Sequence, residues 1–261
     1  KQMDQDTQSR DELVTRIFTQ VKHLLQVATD YGFDKNLWHN YLAFYLVTNE
    51  NPFSITCEKV GANDGSVNHF AKNDFAVIKN LFDYDFSKIE EDLGIDCFSQ
   101  LSDYHAIQKK ELMYNKNVSE KIIALSAKLE VAEDVDAFFD AVTGFYKDYG
   151  VGMFGLNKAF RIKEKDEGDV EFVAINNMDK VMLDDLIGYE IQKKKLVDNT
   201  RAFVEGRAAN NVLLFGDSGT GKSTSIKAIV NEFYPDGLRM IEIYKHQFKD
   251  LSNVIASIKN R

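Results

Sequence analysis

A chain of 261 residues that is 44% hydrophobic and 12% aromatic can bury a sizeable core in one or two domains, which excludes the disordered and collagen-like classes. Two prolines favour a mostly helical protein, and two isolated cysteines, Cys57 and Cys97, read as buried free thiols of a reducing, cytoplasmic protein rather than as a disulfide framework. The net charge of −9 is uneven: residues 181–261 carry 12 basic and 10 acidic side chains, the rest 20 and 31, so the acidic front part argues against a nucleic-acid surface.

In chain order, polar residues 1–8 read as a frayed start without a signal-peptide pattern, and the absence of an initiator Met at Lys1 points to a missing end. Ser9 with Glu12 makes a capping box, after which Leu13, Ile17, Val21, Leu24 and Ala28 share a helical face that ends near Gly32. Asp34 caps a second helix carrying Leu37, Trp38, Tyr41, Leu42 and Tyr45, which stops before Asn51-Pro52. The longest apolar run, Tyr41 to Val47, is far too short to span a membrane. Val67 to Phe82 predicts a third helix with Phe70, Phe75, Ile78 and Phe82 inward, and residues 83–116 short helices with a stop at Gly94. Val118 to Val131 and Val135 to Tyr149 predict two more amphipathic helices. Their aromatic stripes have the spacing of a core rather than of a cofactor box, and the five scattered histidines suggest no metal site.

Residues 9–149 therefore read as an all-helical domain. Residues 150–180 read as a β-hairpin linker, with Phe160 and Ile162 alternating with Arg161 and Lys163, a charged tip at Asp166-Glu167-Gly168-Asp169, and a return through Val170 and Phe172. From residue 181 to 261 the pattern turns α/β. A helix runs to Glu205 with Gly206 in its C′ position, and Lys193-Lys194-Lys195 reads as a solvated face. Asn211 to Phe215 predicts a buried parallel strand, Leu238 to Ile243 a second strand, and Phe248 to Ile258 a last helix.

Between that first strand and a helix over Thr224 to Phe233 lies Gly216-Asp217-Ser218-Gly219-Thr220-Gly221-Lys222-Ser223, which fits the phosphate-binding pattern G-x-x-x-x-G-K-[ST] at every position. Glycines let the backbone approach an oxyanion, and loop N–H groups together with a helix N-terminus hold phosphate oxygens. Lys222 supplies a point charge for the outer phosphates and is the candidate catalytic residue. The Ser223 hydroxyl replaces one water on Mg²⁺. Chance alone produces such a match in roughly one chain of this length in a hundred, so the strand–loop–helix context carries the assignment of Gly216 to Thr224 to the phosphates of a nucleotide and Mg²⁺.

Leu183 to Arg261 resembles the front end of an AAA+ ATPase module. Leu186-Ile187-Gly188-Tyr189 is similar to the segment that in those proteins packs against adenine, which implies base contacts from Ile187, Gly188 and Tyr189. Gly188-Tyr189-Glu190, Asn199-Thr200, Asn210-Asn211-Val212-Leu213-Leu214, the loop itself and Leu238-Arg239-Met240-Ile241-Glu242 resemble an uncharacterised bacterial family of AAA+ ATP-binding proteins known only as a domain of unknown function. Asn51-Pro52-Phe53-Ser54 resembles its N-terminal region. The resemblance implies a fold of helical domain, hairpin and partial P-loop α/β domain that stops where the Walker B strand would begin. It implies weak nucleotide binding and poor hydrolysis by this stretch, with ATP hydrolysis by a longer homo-oligomer that remodels a protein client. Alternatives are a non-enzymatic nucleotide-sensing scaffold, a P-loop small-molecule kinase and, with least support, a nucleic-acid role such as helicase loading.

Overall fold

The computed structural model describes residues 2–106, 116–164, 170–176 and 178–259, with backbone alone for 2–8, 116, 117 and 164. The chain divides into two units, residues 1–152 and 153–261. The hairpin, expected as a join, falls in the second of them.

The first unit is helical: α1 (Gln2–Tyr31), α2 (Leu37–Thr48), α3 (Pro52–Val60), α4 (Val67–Phe82), α5 (Ser87–Leu93), α6 (Cys97–Ser102), α7 (Lys116–Glu130) and α8 (Val135–Tyr149). Helix α1 begins seven residues before the predicted capping box, so Ser9 lies inside it, because no helix breaker separates residues 2–8 from the amphipathic stretch. The cap of α2 is Asn36, whose side chain accepts from the His39 N–H at 3.0 Å. Asp34 instead accepts from the Ala106 N–H at 2.8 Å, since Lys35 pairs with Tyr104 before the helix starts. Asn51-Pro52, read as a stop, is also a start: Asn51 and Ser54 form a reciprocal capping box and Pro52 opens α3, where a missing N–H costs nothing.

Helix α2 packs on α7, while α3 and α4 pack on α8. At the centre Phe138 is fully buried against Phe75 and Phe82, with ring centroids 6.1 and 5.5 Å away, and Phe139 joins Phe53 and Phe75 at 6.0 and 5.8 Å. Phe70, expected inward, is 68% exposed. The inward row of α4 is Ala71, Phe75, Ile78 and Phe82, and Phe70 sits about 100° off it. Cys57 and Cys97 are free and buried, and burial pushes both thiols up. Among the described residues no helix is long and apolar enough to cross a membrane.

Buried Tyr146 on α8 donates its hydroxyl to the Leu46 carbonyl at 2.8 Å, satisfying one of the carbonyls that the end of α2 leaves open. Removing the hydroxyl strands that carbonyl, so Tyr146→Phe is expected to lower unfolding free energy by about 1–2 kcal/mol. Burial, and then proximity to Cys57, raises the tyrosine above its ordinary value of 10.0. The unfolded chain thus gives up this proton first, and the contribution present below pH 10 is lost as pH rises towards the folded value. Urea unfolding followed by Trp38, the single tryptophan, checks both: the alkaline loss is expected to be smaller in Tyr146→Phe.

After α9 (Gly152–Leu156), the second unit builds a three-stranded sheet in the order β2–β1–β3. Strand β1 (Ala159–Glu164) pairs antiparallel with β2 (Val170–Ala174), Ile162 opposite Phe172, as the alternation predicts. The tip residues 165–169 lie outside the described residues. On its other edge β1 pairs in parallel with β3 (Met240–Glu242), placing Arg161 opposite Glu242 with Nε and Oε2 2.6 Å apart. Buried Gln247, in the 3₁₀ segment Lys245–Asp250, donates to the Ile162 carbonyl at 3.1 Å and leads into α12 (Leu251–Ile258). The remaining helices are α10 (Glu190–Val204) and α11 (Lys222–Phe233), packed on each other, with a 3₁₀ turn at Leu183–Asp185 against α11. The whole is mostly helical with a small sheet, an α+β arrangement.

Candidate functional site

Asn211 to Phe215 leads into the loop, but it is not a strand. It joins no described ladder, and Leu213 and Phe215 are 81% and 86% exposed. An apolar run becomes a buried parallel strand only between neighbours, and here β3 pairs with the hairpin instead. What places the run is Asn199 of α10. Its side-chain oxygen accepts from the Asn210 N–H at 2.8 Å and its amide donates to the Asn210 carbonyl at 2.9 Å, a two-bond clamp that imitates a strand partner. Helix α10 itself ends in a Schellman arrangement, with Gly206 at φ 68°, the Gly206 N–H on Phe203 and the Arg207 N–H on Ala202.

From Gly216 to Thr220 the backbone turns sharply and is largely exposed. Gly219 and Gly221 have φ of 80° and 81°, and a Cβ at either would meet nothing within 4 Å: the backbone conformation, not crowding, requires glycine there. Gly221 is the N-cap of α11, and the first bond along the helix is Ser225 N–H to the Gly221 carbonyl at 2.8 Å. The N–H groups of Lys222, Ser223 and Thr224 therefore begin the helix without acceptors along it, at its positive end. Thr220 Oγ1 donates to the Asp217 carbonyl at 2.9 Å, tightening the turn.

Lys222 folds back over the loop that precedes it. Its Nζ donates to the carbonyls of Gly216 (3.0 Å) and Asp217 (2.5 Å) and to Thr220 Oγ1 (3.3 Å). Ammonium and open helix N–H groups are thus carried on one turn. Ser223 and Thr224 are exposed in the first turn of α11, with Ser218 exposed in the loop. Among the described residues no three His, Cys, Asp or Glu side chains gather as a metal site.

The structure puts Ile187, Gly188 and Tyr189 at the entry to α10. Ile187 is 96% exposed, Gly188 has φ 86°, and Tyr189 is the N-cap at φ 55°. Their shared turn follows the 3₁₀ segment against α11. Sequence reasoning gave no structural role to half-buried Asn199, quoted only within the resemblance, or to buried Asn231. The signal was there for Asn231: an amide among Ala228, Ile229, Val230 and Phe233 on one helix needs backbone partners.

No curated protein and no solved structure matches the chain. The helices before α9, including Asn51 to Ser54, lie outside the family match. That match places residues 156–261, with the loop and its supporting helices, as similar to the uncharacterised family described as "Protein of unknown function (DUF815)".

Proposed function

We propose that residues 216–224 bind the phosphates of ATP together with Mg²⁺. The observation that carries the reading is a glycine turn with two left-handed residues next to the helix, opening α11, with Lys222 Nζ lying back over it. Unpaired N–H groups at a helix start, an adjacent ammonium and an uncrowded concave backbone are the donor set that polyphosphate recognition needs. The exposed Ser223 hydroxyl fits a hard cation as one oxygen ligand, the remaining ligands being phosphate oxygens and water. Bound there, the cation would neutralise charge shared between two phosphates.

Lys222 exchanges its carbonyl bonds for phosphate oxygens in this reading, and Thr220 keeps the turn closed while it does so. ATP hydrolysis in a longer oligomeric protein, used to remodel a protein partner, is the extension that the resemblance of residues 183–261 to AAA+ modules supports. Titration calorimetry tests the binding step: heat with Mg·ATP is expected, and its absence removes the proposal. Ser223→Ala is expected to weaken ATP binding about tenfold with Mg²⁺ present and to change it little in EDTA. An equal loss in both conditions would contradict the metal role.

A further inference from the structure

Along α1, Leu13, Ile17, Val21 and Leu24 recur at three- and four-residue spacing and form one apolar row. Leu24 is buried at one end of the row, whereas Leu13 at the other is 44% exposed. Helices α1 and α6 each pack on α2, and between them the row faces a cavity of about 580 Å³. A packed interior leaves few voids larger than a water molecule, and a space of this size matches the pockets of about 300–1,000 Å³ that hold small molecules.

Trp38 of α2 and Phe98 of α6 line the cavity opposite α1. Both rings rest on Phe86, Trp38 edge-on with centroids 5.6 Å apart and Phe98 stacked at 4.4 Å, so each is held in place by a third ring. Trp38 spends its indole N–H on the Leu81 carbonyl at 2.8 Å and turns apolar surface to the space. Leu101 of α6, also buried, lines it as well.

The charge on the lining has one sign. Arg16 and His23 are its basic side chains, and among the described residues no Asp or Glu joins them, although acids outnumber bases in residues 1–180. Arg16, Gln20 and His23 follow one another along a single flank of the apolar row. The Arg16 guanidinium is exposed, near the open end, and has no carboxylate partner among the described residues. An apolar interior with a lone cation at its lip complements an anionic head on an apolar tail. Arg16 and Leu24 lie eight residues apart, about 12 Å along the helix. An extended chain advances about 1.2 Å per bond, which sets a tail of about ten carbons.

We propose that the cavity between α1, α2 and α6 binds a single-tailed carboxylate of about ten carbons, its head on Arg16 and its tail running along α1 towards Leu24. The site lies wholly within the helical unit and does not rest on the phosphate-binding reading.

Trp38 is the single tryptophan, so its emission reports on the cavity wall directly. Titration of the full chain with monomeric decanoate is expected to give a saturable blue shift at one ligand per chain. Decylammonium, with the same tail and the opposite head, is expected to bind at least about tenfold more weakly. Arg16→Met, which suits a helix, is expected to weaken decanoate about tenfold while decanol stays within about twofold. Ile17→Phe, which fills part of the space, is expected to weaken decanoate and decanol alike, by about tenfold. The absence of a saturable shift, decylammonium binding as tightly as decanoate, or unchanged affinity in Ile17→Phe each overturns the site. Equal losses of decanoate and decanol in Arg16→Met overturn the placing of the head. Melting curves identify a variant that has unfolded; should that be Ile17→Phe, Arg16→Met decides, since Arg16 is exposed.

Discussion

Lys222→Ala is expected to reduce affinity for Mg·ATP by about 100-fold while leaving the melting temperature within a few degrees of the wild type. The ammonium makes three bonds to the loop and stands at the head of α11, so its removal takes away both the charge that faces phosphate and a brace on Gly216 and Asp217. A charge-assisted bond contributes about 1.5–3 kcal/mol, or roughly 10–150-fold, and the loss of loop order adds to it. No core side chain is disturbed, which is why stability is expected to stay. Lys222→Arg is a useful companion: it keeps the charge but carries it on a planar fork, and a large loss there too would show that a compact ammonium is needed. Calorimetric titration of both variants against Mg·ATP, with thermal melts alongside, reads the outcome. Unchanged affinity in Lys222→Ala would sink the phosphate-site assignment.

The largest expected effect on stability is at Phe138. Its ring is fully buried and packs between Phe75 and Phe82, so truncation leaves a cavity whose walls belong to α4 and α8. Phe138→Ala is expected to lower the unfolding free energy of the helical unit by about 3–5 kcal/mol. Phe138→Leu, which refills much of the volume, is expected to recover more than half of that. Trp38 lies on α2 in the same unit and bonds the Leu81 carbonyl at 2.8 Å, so its fluorescence in a urea series reports this transition directly. A midpoint unchanged in Phe138→Ala would mean that the aromatic cluster is not the centre of the unit.

Helices were the legible part. The spans of α4 and α8 follow from the spacing of their apolar residues, and α10 stops at the glycine that its pattern requires. Both depend on bonds between residues four apart and on one buried face, information that lies within a short window. The glycine turn before α11 was legible for the same reason: Gly219 and Gly221 are left-handed, and the helix starts at Lys222, two residues ahead of the predicted Thr224.

What the window does not contain was misjudged or missed. Phe70 and Ala71 are equally plausible inward residues until α8 arrives to choose between them. Asn51-Pro52 ends one helix and starts the next, and a stop signal and a start signal share the same letters. Val212 to Phe215 is apolar enough for a strand, yet strand identity belongs to the pair and not to the segment, and the available partner of β3 turned out to be β1. The sequence by itself determined the longer helices and the glycine turn ahead of α11, through contacts between near neighbours. Only the tertiary structure decided which strands pair, which aromatic rings face the core, and that Asn199 and Asn231 are the amides that hold the loop's surroundings, because hydrogen bonds across 11 to 52 residues of chain exist only once the chain has folded.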